Sequence, residues 1–149
     1  MTDTRDARIS AMLDREDIRT LRLLYSALLD SNAADRMEEV FTEDAEVTVT
    51  VGTMKGLDEI KRSLRDAYQT FDTRHAGHFP FIHAIANHEV TLTGPDTAKG
   101  SCYLLDFVTD RPGAQHPFLL LGRYENDYVR VSGEWRIQRS VLDVLWPQD

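Results

Sequence analysis

The stretch "AEVTVTV" (residues 45–51) decides the fold class, because the spacing of apolar residues changes there. Within it, apolar and polar residues alternate, which is typical of a half-buried strand. Before it, apolar residues recur at helical spacing. After it, one more helical segment is followed by strand-like segments up to the last residues. This order predicts an α+β domain, with helices packed on one face of a curved sheet.

On the N-terminal side, the pattern predicts a helix from Ser10 to Asp30, with residues 1–9 as a flexible tail. "DRED" (14–17) favours a break in this helix, since Asp14 could cap a new one and Asp17 follows three positions later. A short second helix is expected in "DRMEEVF" (35–41). The apolar face of the first helix comprises Ile18, Leu21, Leu24, Tyr25, Leu28 and Leu29.

On the C-terminal side, "GTMKG" (52–56) predicts a turn and "GLDEIKRSLRDAYQTF" (56–71) an amphipathic helix. Two pairs of strands follow, joined by the turn signals "GPD" and "SG". The four segments are "PFIHAIANHEVTLTG" (80–94), "TAKGSCYLLDFVTD" (97–110), "FLLLGRYENDYVRV" (118–131) and "EWRIQRSVLDVLW" (134–146).

Part of this sheet should be covered on both faces. "CYLLDFV" (102–108) would place apolar side chains on both faces of its strand. In a sheet with one covered face, apolar and polar residues alternate more cleanly. A second copy of the chain would cover the other face most simply. The sequence therefore predicts a homo-oligomer, a dimer or a trimer.

Composition excludes several classes of function. A chain of 149 residues fits one domain, and its 25 acidic and 17 basic residues give a net charge of −8, which disfavours nucleic acid as a partner. The polar start and the short apolar runs predict neither a secretory leader nor a membrane span, so a cytoplasmic location is expected. The single cysteine, Cys102, cannot form an internal disulfide.

Three ionisable residues stand out because apolar surroundings shift pKa values: Asp30, His83 and Asp106. His83 lies in "FPFIHAIAN", where strand geometry would place it on the same face as Asn87. A core histidine bound to a backbone carbonyl is the alternative. Asp106 lies among apolar residues and needs a partner or a wet cavity, unless it ends the strand in solvent. Spacing alone leaves the pairing of the two strands open.

Metal and nucleotide chemistry have no support in the sequence. "HAGH" (75–78) has neither the carboxylates nor the cysteines of a recognised metal site. No phosphate-binding or dinucleotide fingerprint is present either. We therefore expect no metal and no organic cofactor.

Several longer stretches together resemble a known family. They are "DREDIRTLRLLYSALLD", "AADRMEEVFTEDAEV", "GLDEIKRSL", "HAIANHEVTLTGPDTAKGSCYLLD" and "GRYENDYVRVSGEWRI". Over residues 10–146 the chain resembles the SnoaL-like branch of the nuclear transport factor 2-like superfamily, and within it the scytalone dehydratase and bile acid 7α-dehydratase group. The resemblance implies a single domain over residues 1–149. In such a domain a cone-shaped, curved mixed sheet wraps round about three N-terminal helices and encloses an apolar pocket.

The resemblance also implies a set of site residues. In that group a tyrosine and an aspartate at the end of the first helix act with a histidine on a later strand and with an acidic residue or a second histidine on the next strand. These roles fall on Tyr25, Asp30, His83 and Asp106, with Arg139 as a weaker addition. The positions expected to form the pocket wall are Leu24, Phe41, Val49, Leu64, Tyr68, Phe79, Leu104 and Trp146.

The resulting functional hypothesis is a cofactor-independent dehydratase or isomerase acting on a hydrophobic, cyclic carbonyl compound. His83 would serve as the base, oriented by Asp30 and assisted by Asp106, while Tyr25 polarises a substrate oxygen. Two alternatives stay open at this point. One is a polyketide cyclase or a ketosteroid isomerase-like enzyme with an aspartate as base, and the other is a small-molecule binding protein without catalysis.

Overall fold

The computed structural model describes residues 4–148, which form two α-helices, one 3₁₀ helix and six strands. In chain order these are α1 (Thr4–Asp30), the 3₁₀ helix (Ala34–Glu39), β1 (Phe41–Val49), β2 (Gly52–Lys55), α2 (Leu57–Phe71), β3 (Phe81–Gly94), β4 (Thr97–Val108), β5 (Phe118–Val131) and β6 (Glu134–Trp146). No helix in this part of the chain is long and apolar enough to span a membrane.

All six strands form one curved, unclosed sheet in the order β2-β1-β6-β5-β4-β3. Strands β1 and β6 run parallel, with Val47 opposite Ser140, and every other neighbouring pair is antiparallel. The predicted α+β class and the mixed sheet are confirmed. Strands β3 to β6 alone form the antiparallel meander. Strand β1 pairs with the free edge of β6 in parallel orientation, so β1 and β2 extend the sheet beyond the meander.

The first helix is longer than predicted. It begins at Thr4, so residues 4–9 lie in α1 rather than in a flexible tail, while residues 1–3 fall outside the described part of the chain. The predicted break at Asp14 is wrong. The Asp14 carboxylate accepts hydrogen bonds from Arg130 and from the Trp135 indole, so a tertiary partner holds it where the local sequence suggested a cap.

The C-terminal end of α1 is fixed by the backbone of the following turn. Asn32 adopts a positive φ of 58°, and its N–H donates to the carbonyl of Leu29. The N–H of Ala33 donates to the carbonyl of Leu28 at 2.9 Å. These two bonds form a Schellman motif, which satisfies carbonyls that the helix end leaves free. Asp30 is therefore the last helical residue.

The segment after β1 differs from its prediction. Residues 52–55 of "GTMKG" form strand β2, and the turn lies one step earlier, at residues 50–51. Gly56 then reverses the chain into α2 with a φ of +87°, a conformation that suits glycine. The second predicted helix is the short 3₁₀ helix, since β1 already begins at Phe41.

The main core lies between α1 and the sheet, where α1 packs against β3 and β6. Ile18 and Met37 are fully buried in it, next to Ile137 of β6. A smaller buried cluster, formed by Cys102, Leu104 and Tyr124, lies on β4 and β5. Two of its members, Leu104 and Tyr124, line the cavity described below.

A bulge in β3 changes which side chains face inward. The pairing of β3 with β4 shifts between Ala86 and Glu89, and Asn87 adopts a positive φ of 52°. Asn87 is exposed, so the prediction that it shares a face with His83 is wrong. His88 faces inward in its place, with its Nε2 at 3.1 Å from the Tyr128 hydroxyl.

Candidate active site

An apolar cavity of about 250 Å³ lies where the helices meet the concave face of the sheet. Its wall combines side chains from both α-helices and all six strands with the turn that joins β1 to β2. Most of these side chains are aliphatic or aromatic, and the ionisable ones among them are few. Those ionisable wall residues are Tyr25, His83, Asp106 and Tyr124.

Asp30 and His83 form a hydrogen-bonded pair at this wall. The His83 Nδ1 lies 2.6 Å from the Asp30 Oδ1. The backbone N–H of His83 also points at the same carboxylate, 3.3 Å from each oxygen. Both side chains are largely buried, with 16% of His83 and 29% of Asp30 exposed. These contacts offset the unfavourable position of a carboxylate at the negative end of a helix.

The contact with Asp30 decides which nitrogen of His83 carries the proton. A carboxylate only accepts hydrogen bonds, so Nδ1 donates, and Nε2 of the neutral ring keeps its lone pair. His83 is one of the cavity-lining residues. An imidazole held in this tautomer by a carboxylate has the arrangement of a general base.

Asp106 lies directly opposite His83 in the pairing of β3 with β4. Its Oδ1 is buried and has no hydrogen-bond partner among residues 4–148. Burial raises the pKa of the Asp106 carboxyl, His83 counteracts this, and the nearby Asp30 adds to it. A carboxyl in this setting binds a proton more readily than a solvated carboxyl does.

Tyr25 reaches the cavity from α1, one and a half turns before Asp30. Its ring packs edge-on against Phe41, with centroids 5.0 Å apart. Burial raises the pKa of the Tyr25 hydroxyl, so it stays a hydrogen-bond donor at neutral pH. Of the four predicted side chains, Tyr25, His83 and Asp106 therefore line the cavity, and Asp30 is hydrogen-bonded to His83.

Arg139 does not lie at this site. It is exposed on β6, opposite Asp127 of β5 and Glu46 of β1. There it lines a separate groove on the outer face of the sheet together with Glu89 and Glu125. The register of β6 places its side chain on the convex face, which a sequence pattern could not specify.

The predicted pocket wall is only partly the observed one. Val49, Leu64, Phe79 and Leu104 line the cavity. The other four residues are placed elsewhere: Leu24 packs against the main core, Phe41 is buried beneath Tyr25, Tyr68 donates to Asp72, and Trp146 stacks on Phe118 with 45% of its surface exposed.

Two functional candidates were missed by the sequence analysis. Tyr124 of β5 lines the cavity, and the guanidinium of Arg22 lies beneath it, 4.3 Å from the ring centroid. The signals were present in the sequence. In "GRYENDY" (122–128) the charged residues occupy one parity and both tyrosines the other, and Arg22 follows Ile18 by four positions on the apolar helix face.

Among residues 4–148, no three His, Cys, Asp or Glu side chains converge in a way that could hold a metal ion. The site therefore consists of an imidazole, two carboxyl groups and two phenols around an apolar space. This combination can exchange protons with a bound molecule and donate hydrogen bonds to its oxygens.

The fold and the cavity together define an α+β domain of the cystatin-like, nuclear transport factor 2-like type. The chain belongs to the SnoaL-like domain family, whose model matches residues 10–141.

Relatives agree with this assignment. The uncharacterized protein Rv2910c of Mycobacterium tuberculosis is 28% identical over 138 residues, which cover 89% of this chain and 86% of the relative. A nuclear transport factor 2-like protein from Novosphingobium aromaticivorans superposes with a TM-score of 0.79 at 24% identity, covering 99% of this chain and 94% of that one. A candidate scytalone dehydratase from the same organism gives 0.77 at 23% identity, covering 95% and 91%. At these identities the structural likeness establishes the fold.

Proposed function

We propose that the protein is a cofactor-independent lyase or isomerase that acts on a hydrophobic, cyclic carbonyl compound. The observation that carries the proposal is the 2.6 Å hydrogen bond between Asp30 and His83 at the wall of an apolar cavity. A domain that only bound an apolar ligand would have no need for this pair, since burying two such groups is costly. The cavity of about 250 Å³ suits one small ring system.

The proposed dehydration uses only side chains of this chain. Nε2 of His83 takes the proton next to the substrate carbonyl, and the C–H electrons form an enolate. The Tyr25 hydroxyl donates a hydrogen bond to the enolate oxygen. When the enolate collapses, the bond to the hydroxyl group on the neighbouring carbon breaks. That hydroxyl leaves as water with a proton from His83 or from protonated Asp106, and an enone remains.

A proton-transfer variant of this proposal uses Asp106 as the base. Its raised pKa and its unpartnered oxygen make it suited to accept a proton from one carbon and return it to another. No leaving group is then needed, and the reaction is an isomerisation. His83 would support the charge on the substrate instead of taking the proton.

The test is turnover of a panel of cyclic β-hydroxy ketones and enones, followed by absorbance. We expect His83→Ala to reduce turnover by about 10²- to 10⁴-fold without unfolding the chain, because a general base contributes that much. His116→Ala, in an exposed loop, is the matched control and should retain wild-type turnover. Asp106→Asn distinguishes the two reactions, since it should abolish isomerisation but only slow dehydration.

Undiminished turnover in His83→Ala would refute the role of His83 as base. Ligand binding by the wild-type protein without turnover of any compound in the panel would instead favour the non-catalytic binding protein.

A further inference from the structure

Arg22 is a buried cation beneath the cavity. Only 1% of its surface is exposed, and its Nη1 donates to the Ser26 hydroxyl at 3.3 Å. Its Nε is buried without a hydrogen-bond partner in the described part of the chain. Within residues 4–148, none of its hydrogen bonds or ion pairs involves a carboxylate. Arginine keeps its charge in proteins, so this part of the interior holds an uncompensated positive charge.

The guanidinium contacts the rings of both phenols of the cavity wall. Its central carbon lies 4.7 Å from the ring centroid of Tyr25 and 4.3 Å from that of Tyr124. Cation–π contacts of this kind stabilise a buried guanidinium in part, by about 2 kcal/mol at desolvated sites. The charge therefore acts through two rings that themselves line the cavity.

The groups around Arg22 do not cancel its charge. Ser26 and Tyr25 approach from α1, Cys102 from β4, and Tyr124 and Tyr128 from β5. His88 of β3 is the remaining titratable neighbour, and burial together with Arg22 lowers its pKa to about 4, so it is neutral at physiological pH. An anionic oxygen held by the Tyr25 or Tyr124 hydroxyl would lie in the field of Arg22 with little solvent screening.

We infer that Arg22 is a positioning residue that makes this end of the cavity select ligands carrying negative charge on an oxygen attached to a ring. The ligand classes are phenolates and the enolates of cyclic ketones. Tyr25 and Tyr124 would touch the ligand oxygen, and Arg22 would favour its ionised form through them. The consequence for catalysis rests on the proposed function, whereas the selection of anions can be measured without turnover.

The experiment measures binding of p-nitrophenol, whose neutral and ionised forms absorb at different wavelengths, as a function of pH. In the wild-type protein we expect the pKa of bound nitrophenol to lie at least one unit below that of the free compound, a preference for the anion of at least tenfold. Arg22→Met should lose this preference, whereas binding of the neutral analogue p-nitrotoluene should change less than twofold. Arg22→Lys, which keeps the charge, should recover most of the shift.

The matched control is Arg19→Met, which removes the same charge from a partly exposed position one turn earlier in α1. It should leave the nitrophenol shift in place. If Arg22→Met does not fold, Arg22→Gln and Tyr124→Phe take its place, and each should reduce the shift. A wild-type-like shift in any neutral Arg22 variant overturns the inference, as does an equal loss of nitrophenol and nitrotoluene binding, which marks a structural role.

The two proposals fail separately. Absence of turnover with an intact Arg22-dependent shift refutes the proposed reaction and leaves the anion-selective site in place. If turnover depends on His83 but the pKa of bound nitrophenol is not shifted, only the role of Arg22 is refuted.

Discussion

Asp30 performs two tasks with one carboxylate, and both depend on its position as the last residue of α1. One oxygen accepts a hydrogen bond from the imidazole of His83 and so orients the ring. Both oxygens also face the backbone N–H of His83 in β3. The backbone carbonyl of Asp30 also accepts from the N–H of Phe79. The carboxylate therefore joins the helix end to the strand that carries the candidate base.

Asp30→Asn tests the orienting task. The amide keeps the size of the side chain but can present its NH₂ to Nδ1, which favours the wrong tautomer of His83. We expect turnover on the panel to fall by about 10²-fold or more, while the free energy of unfolding falls by about 1 kcal/mol. Steady-state kinetics and urea unfolding measure the two quantities. Equal turnover in the variant and the wild type would contradict the orienting role.

His88 makes stability depend on pH. Burial, and then Arg22 and Arg19, lower its pKa to about 4, whereas an unfolded histidine titrates near 6.5. Between these values the unfolded chain binds more protons than the folded one, so stability falls as the pH falls from about 6.5 to about 4. Because His88 is only half-buried and solvent screens it in part, the loss stays below the value of about 1.4 kcal/mol per pH unit for a fully shifted group.

His88→Gln should remove this contribution, because glutamine does not titrate. We expect urea unfolding to show a shallower loss of stability between pH 6.5 and pH 4 in this variant than in the wild type. His116→Gln, in an exposed loop, should keep the wild-type slope. Parallel pH profiles for His88→Gln and the wild type would show that His88 does not set the slope.

At the scale of elements, an ion pair fastens the first half of α1 to the far end of the sheet. Arg130 of β5 donates to Asp14 from Nη1 at 2.9 Å and from Nη2 at 3.2 Å, and it stacks over the Trp135 ring at 4.6 Å. Asp14 is 18% exposed and Arg130 26%. This contact is the physical reason that the helix continues through a sequence resembling a cap.

Asp14→Ala should therefore lower the free energy of unfolding by about 1 kcal/mol, since Arg130 loses its less exposed carboxylate partner and keeps only the pair with the exposed Asp96. Asp35→Ala is the matched control, because the Asp35–Arg65 pair has the same chemistry but Asp35 is 81% exposed. Its loss should be close to zero, as for other surface pairs. Urea unfolding of both variants gives the comparison. Similar losses of stability in the two variants would contradict a special stabilising role of the Asp14–Arg130 ion pair.

At the scale of the whole molecule, the convex face of the sheet carries an apolar patch. Its most exposed members are Ile82, Tyr103 and Trp146, with 47%, 37% and 45% of their surfaces exposed. Beside the patch, the outer face continues with opposite charges in register, Arg123 opposite Asp143 and Asp127 opposite Arg139. Apolar surface flanked by both signs of charge is complementary to a second copy of itself.

We therefore propose that two or three copies of the chain associate through this face. In light scattering at micromolar concentration, the wild-type protein should show a mass two or three times the 17.0 kDa of one chain. Tyr103→Glu should shift it toward the monomer, whereas Leu23→Glu, on an exposed part of α1, should not. A wild-type protein that is monomeric at that concentration would refute the proposal.

The sequence by itself determined the α+β class, α2, the four long strands and the family, because these depend on local periodicity and on the order of motifs along the chain. It also singled out Asp30, His83 and Asp106 as ionisable side chains in apolar segments, and the family resemblance added Tyr25. The tertiary structure decided what depends on register and on distant partners. The pairing of β3 with β4 places Asp106 opposite His83, and the register of β6 places Arg139 outside.

Tertiary packing likewise decided that Arg22 and His88 lie next to the tyrosines of β5. The bulge at Asn87 turns His88 inward, and the approach of β5 to α1 places Arg22 against two phenols. Local periodicity indicates that Arg22 faces the interior, but its contact with Tyr124 joins residues far apart in the chain, which meet only when the sheet curves over the helix. The same holds for the contact between His88 and Tyr128. "AEVTVTV" indicates that strand replaces helix in this part of the chain, whereas the curvature of the folded sheet determines which side chains share the cavity.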